Sequence, residues 1–337
     1  MQMKWLIFLG LFFVSLSVSL AAELEVIWPT EHPPDDMRES FYSRLQATAS
    51  NEIQSGNFGC VRTNGHQFHE GVDLRAMTKD SRGEATDIVR SVLPGVIVHT
   101  NAVRGKSSYG RYVVIEHFDR EMSFLTLYAH LASIDKGIAR GAKVEGGQRI
   151  AVMGRSASYT IPKQRAHLHF EVCLRLTDSF QSWYKWKKFE SKNDHGIFNG
   201  MNLVGINPAL FFEETQWEGT DTIREVLEAE DTAFTIMVST NQVPDFIKRY
   251  PALVNGVISE EDLAGWRVEF TYYGAPKKWT PLVSKSGDIQ QGKLALVDYN
   301  KELLASDACR KMIRFRNGKP TIGPGLQTSL QLLFGFR

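Results

Sequence analysis

His167-Leu168-His169-Phe170-Glu171-Val172 is the stretch on which the fold turns. Its residues alternate polar and apolar, the period of a half-buried strand. A helix would swing His167 and His169 about 200° apart, at ~3.6 residues per turn, whereas a strand sets them side by side on one face. Around this stretch the chain from Cys60 onward predicts more short strands separated by glycine turns, at 88–98, 112–117, 123–129, 144–153 and 168–174. That density of short strands predicts a mainly β, antiparallel domain.

Two further pieces carry the same kind of side chain: His69-Glu70-Gly71-Val72-Asp73 and Tyr128-Ala129-His130-Leu131. His69 and Asp73 bracket a glycine, which suits a bend at a strand end that turns both side chains inward. Catalytic zinc takes nitrogen and oxygen ligands from three side chains and keeps a fourth position open for water. His69, Asp73 and His169 can supply that set, and His130 and His167 then remain for proton transfer. The three pieces together read as the site of a zinc hydrolase.

In order along the chain, Phe68 to Leu74, Leu93-Pro94-Gly95-Val96-Ile97, Tyr109-Gly110-Arg111-Tyr112-Val113-Val114-Ile115, Tyr128 to Leu131, Gly141 to Gly154, and His167 to Val172 resemble the lysostaphin/LytM-type zinc endopeptidases, which cut bacterial peptidoglycan and share the duplicated hybrid motif fold. Ile206-Asn207-Pro208 resembles the end of that domain, so the likeness covers residues 59–212. It implies zinc ligands at His69, Asp73 and His169, a catalytic pair at His130 and His167, and peptidoglycan peptide stems as substrate, with a D-Ala to diaminopimelate cross-link as the favoured bond. The chain departs from the family pattern in two places. A longer loop, 157–166, replaces the usual short Thr-Gly turn, and residues 173–205 intervene where the family domain normally closes. That insertion holds Phe180, Trp183, Tyr184, Trp186 and Phe189 among three lysines. The aromatic residues either pack the insertion onto the sheet or form a lip that touches substrate.

Composition limits the partners. With 43% hydrophobic and 23% charged residues and a net charge of +1, the chain is ordinary for a folded protein and announces no basic face for nucleic acid. Lys4 followed by an apolar run to Leu20, with Ala21 and Ala22 behind it, predicts a signal peptide over residues 1–21, and hence a periplasmic or extracellular protein without stable membrane insertion after its removal. Nothing in the sequence specifies an oligomeric state. Of three cysteines, Cys60 and Cys173 flank the ligand-bearing strands and are the first disulfide pair to test. None has the setting of an activated nucleophile. His99, His117 and His195 are expected to be ordinary structural histidines.

Residues 22–58 predict a leader packed on the peptidase, with a helix over 38–48. After Phe212 the pattern changes to an α+β region of unknown function: helix-like over 213–231, 244–250, 301–313 and 326–334, strand-like over 234–238, 266–273 and 294–297. Phe270, Tyr272, Tyr273 and Trp279 there read as core. The function expected is a zinc metallo-endopeptidase of the cell wall. Two alternatives stand beside it: a LytM-like regulator without catalysis that binds other wall hydrolases, and a secreted metalloprotease acting on proteins.

Overall fold

The computed structural model describes residues 24–284, 292–306 and 308–336, so the segment read as a signal peptide lies outside the described residues. Strands β1 (Gly59–Arg62) and β2 (Gln67–His69) form a hairpin, and β3 (Val72–Arg75) follows at once. The main sheet also takes β5 (Gly95–Asn101), β6 (Tyr112–Phe118), β7 (Ser123–Ala129), β9 (Lys143–Val144), β11 (His167–Arg175) and β12 (Leu203–Ile206), antiparallel throughout. Its order is β12-β11-β7-β6-β5-β9. Strand β3 joins β11 over residues 167–170, while β12 pairs with it over 172–175. A small sheet of β4 (Ile88–Arg90), β10 (Arg149–Val152) and β8 (Ser133–Ile134) lies beside it.

The C-terminal part builds its own antiparallel sheet from β13 (Phe234–Ser239), β14 (Leu263–Phe270), β15 (Pro276–Val283) and β16 (Leu294–Tyr299), in the order β15-β14-β13-β16, and a hairpin of β17 (Ile313–Arg316) and β18 (Lys319–Ile322). The helices are short: α1 (Met37–Ser40), α2 (Phe180–Lys187), α3 (Pro208–Glu213), α4 (Ile223–Ala229), α5 (Asp245–Arg249), α6 (Lys301–Ser306) and α7 (Pro324–Phe334). One cluster of buried apolar side chains runs from Leu24 and Trp28 through Val72, Phe170 and Phe212 to Trp279 and Leu333. A smaller one covers the opposite face of the main sheet, where Tyr112, Leu127 and Cys173 meet Phe198 and Leu203 from the insertion. Both faces of β11 are therefore buried, and the half-buried strand read from the sequence is corrected: the insertion covers the face that alternation marks as polar.

Several local expectations change for physical reasons. The helix expected over 38–48 stops early, because Leu45 bridges to Leu74 and the Gln46 amide donates to the Asp73 carbonyl, which draws the chain out straight beside the site. The strand expected over 88–98 breaks between β4 and β5, where Pro94 cannot donate and the Val92 amide turns to the Tyr128 hydroxyl at 3.0 Å. The strand expected over 144–153 breaks at Gly146-Gly147. The 213–231 helix is interrupted at Gly219, whose φ is +71°, and that of 301–313 ends with α6 and a separate turn over Ala308–Arg310. Strand β15 went unread because prolines sit at both 276 and 281. The disulfide is Cys60–Cys309, and Cys173 is a buried free thiol, so the Cys60–Cys173 pairing is wrong. Cys173 faces into the small core behind β11, whereas Cys60 leaves the sheet on the hairpin. Among the described residues no helix is long and apolar enough to cross a membrane.

Candidate metal and catalytic site

Strand β11 is the spine of the site. His169 pairs with Asp73 on β3 on one side and with Ala129 on β7 on the other, and His130 follows directly after β7. His69 ends β2, and Glu70-Gly71 makes the step to β3. Gly71 permits this step because a Cβ there would stand 2.2 Å from the Phe170 carbonyl oxygen. His130 is held with φ +61°, a strained setting for a non-glycine residue, by its amide, which donates to the Tyr109 carbonyl, and by its carbonyl, which accepts from the Ser156 amide. All five side chains read from the sequence therefore meet in one place, and all are buried.

The hydrogen-bond partners decide which ring nitrogen faces inward. The Nδ1–H of His69 donates to the Asn57 carbonyl at 2.7 Å, so Nε2 presents its lone pair to the site. His169 is turned the other way: Nε2–H donates to Glu171 Oε1 at 2.8 Å and Nδ1 faces inward. His69 Nε2, His169 Nδ1 and Asp73 Oδ1 then form a triangle with sides of 3.0, 3.1 and 3.1 Å. At this separation the three atoms need a shared proton or a cation among them. The edge of a tetrahedron around zinc, with bonds of about 2.0–2.1 Å, is about 3.3 Å, so the donor set fits that ion. These three residues form the group able to hold a metal among the described residues.

His130 and His167 stand apart from the triangle, their rings 4.7 Å from each other. His130 Nδ1–H donates to the Ser156 carbonyl at 2.9 Å and His167 Nδ1–H to that of Arg165 at 2.7 Å, which leaves each Nε2 free to exchange a proton. Burial pushes both below the ordinary histidine range, His130 far below. The nearby Asp73 carboxylate resists that fall; its Oδ2 lies 3.5 Å from His167 Nε2. Burial also opposes charge on His169, yet its bonds to Asp73 and Glu171 raise it to about 9.

Sequence reasoning missed several neighbours. Glu171 was quoted within the motif without a role; it accepts from His169 and, at 2.6 Å, from the Tyr109 hydroxyl. Arg62 reaches the ligands from β1, its Nη2 donating to His69 Nε2 at 2.8 Å and to Asp73 Oδ2. The cavity over the site has a volume of about 1110 Å³, and its walls include Thr48 of the leader, Tyr159 of the long loop and Tyr184 of the insertion. Arg310 and Thr328 of the C-terminal part also line it. Of the insertion aromatics, Phe180, Trp183 and Tyr184 are buried, and Trp183 Nε1 donates to Gln331 of α7 at 3.2 Å, so they pack mainly between the insertion and the C-terminal part. His99, His117 and His195 lie outside the group able to hold a metal. His195 Nδ1 meets the Tyr112 hydroxyl at 2.7 Å.

Residues 67–179 match the model of Peptidase family M23. No curated protein matches the chain. Among solved structures, the chain is similar to a zinc containing peptidase from Vibrio cholerae at 28% identity, over 38% of this chain and 35% of that one, with a TM-score of 0.27. It is also similar to the catalytic domain of the antimicrobial peptidase lysostaphin from Staphylococcus simulans, at 24% identity over 35% and 74% of the two chains (TM-score 0.25). A putative glycyl-glycine endopeptidase lytM from Ruminococcus gnavus matches at 20% identity over 45% and 54% (TM-score 0.29). The chain spans about a third of the length of the Vibrio protein and about half that of the Ruminococcus protein. The match to peptidase family M23 thus spans the hairpin strand β2 through β11, a third of the chain, and contains all five residues of the site.

Proposed function

We propose that this chain is an exported zinc metallo-endopeptidase that hydrolyses peptide bonds in the stems or cross-links of peptidoglycan, with D-Ala to diaminopimelate as the bond. The observation that carries the reading is the triangle of His69 Nε2, Asp73 Oδ1 and His169 Nδ1, with two spare imidazoles beside it. Zinc held there would polarise a carbonyl and bring a water's pKa toward ~7. The remaining work falls to the chain. His130, driven furthest toward its neutral form by burial, accepts the proton of the attacking water at Nε2. His167, with Asp73 3.5 Å away to steady a positive charge, donates from Nε2 to the leaving amine. Glu171 holds His169 so that Nδ1 and not Nε2 would be offered to a bound metal. The predicted signal peptide and the match to peptidase family M23 support action in the cell envelope.

The second reading, a LytM-like regulator without catalysis that binds and activates other wall hydrolases, is favoured by one observation: Arg62 satisfies His69 and Asp73 where a metal would do so. One experiment separates the readings. The purified chain is incubated with wall sacculi and with casein, with and without a chelator. Chelator-sensitive release of soluble peptides from sacculi alone is expected. Cleavage of casein in preference would move the substrate to proteins, and binding to sacculi with no release would favour the regulator.

A further inference from the structure

We propose that Arg62 is a cationic stand-in at the metal site, which satisfies the ligands when no metal is bound and lowers the affinity with which a metal is held. The inference rests on reading His69, Asp73 and His169 as metal ligands. His69 has a single lone pair to offer, at Nε2, because Nδ1–H is committed to the Asn57 carbonyl. Arg62 Nη2 donates to that lone pair over 2.8 Å. Guanidinium and metal cannot both use it. Asp73 is less exclusive: Oδ1 faces the triangle and Oδ2 takes the Arg62 hydrogen bond. A bound metal would therefore cost Arg62 one hydrogen bond and leave its charge beside a second cation, in a buried place where salt screens little.

The placement of Arg62 is built into the fold. Its strand is pinned to β2 by the Arg62–Gln67 pairing and to the C-terminal part by the disulfide at Cys60, two residues away. Arg62 Nε is buried with no hydrogen-bond partner, an unfavourable position that the bonds at the other end of the guanidinium offset. Without that cation the buried Asp73 carboxylate would face the imidazoles of His69, His167 and His169 alone in the metal-free protein.

The test measures zinc affinity by competition with a chromophoric chelator, and thermal melting with and without zinc, for the full chain and its R62Q and R62K variants. R62Q is expected to bind zinc at least about tenfold tighter. Its metal-free form should melt below the wild type, with zinc closing the gap. R62K keeps the charge but cannot span both ligands, and its affinity should fall between the two. An affinity equal to or weaker than wild type in R62Q, or in R62K should R62Q not fold, overturns the proposal and leaves the metal site standing. Failure of wild type and both variants to bind zinc overturns the ligand reading, and this inference with it.

Discussion

The sheet that carries the histidines and the sheet near the C-terminus are both antiparallel, yet they bury different things. Along β11, His167, His169 and Glu171 face one side and Leu168, Phe170 and Val172 the other, and every one is out of solvent. Each of those polar groups has a named partner: a carbonyl, a carboxylate or a tyrosine hydroxyl. In the C-terminal sheet the buried side is aromatic. Phe234 stacks on Phe270 at 5.0 Å, and Trp279 meets Trp266 and Phe246 at 5.7 Å each. Its edge strand β16 stays largely open to solvent. Apolar burial needs only area, while polar burial needs every hydrogen bond placed, so the first sheet tolerates far less change than its size suggests.

That difference can be broken from either side. Trp279→Ala should cost ~3–5 kcal/mol of stability, read by urea unfolding, through the cavity it leaves. Because the apolar cluster is continuous, the loss should appear in a single transition; two separate transitions would show the sheets to be independent. Asp73→Ala and His169→Ala should instead weaken zinc binding by roughly 10³-fold, since three protein ligands share the binding free energy. Full metal content in both variants, by elemental analysis, would end the ligand reading.

A third measurement uses acid. His117 is buried behind the main sheet, donates from Nδ1 to the Pro94 carbonyl at 2.9 Å, and is pushed by burial down to about 4. Its folded pKa lies below the unfolded value near 6.5, so the unfolded chain binds the proton more readily as pH falls. Stability from this group is complete above pH 6.5 and lost toward pH 4, by about 3 kcal/mol over that window. A urea midpoint that stays level from pH 7 to 4.5 would contradict it, and His117→Gln should flatten the slope.

Smaller effects sharpen the roles within the site. His130→Ala and His167→Ala should keep zinc and lose roughly 10²-fold in peptide release, the scale of general acid–base catalysis. Near-normal release by both would remove the assigned roles. Glu171→Gln, which still accepts a hydrogen bond but without the charge, should weaken zinc about tenfold. An unchanged affinity would make the carboxylate a packing group only.

The sequence made the centre of the site legible because its chemistry lies in short pieces. A His-x-His on an alternating strand and a His-x-x-x-Asp around a glycine specify faces and a bend, and the register of β3 against β11 sets Asp73 beside His169 as those patterns require. Strand β7 begins and ends where the sequence pattern puts it. What could not be read depends on partners far away in the chain. Arg62 precedes the motif with no periodic signal, and Cys60 finds Cys309 across 249 residues. Pro276 and Pro281 disguise β15, and the leader leaves its helix because Leu74 lies beside Leu45. Local patterns report which way a side chain faces; they do not report what comes to meet it.

The disulfide sets an order of events. A ring closed across 249 residues cannot be completed until Cys309 has followed Cys60 out of the ribosome and into a place where thiols oxidise. By the chain-entropy model its closure removes about 5 kcal/mol of freedom from the unfolded chain, so the hairpin that bears Arg62 gains its anchor late and then keeps it.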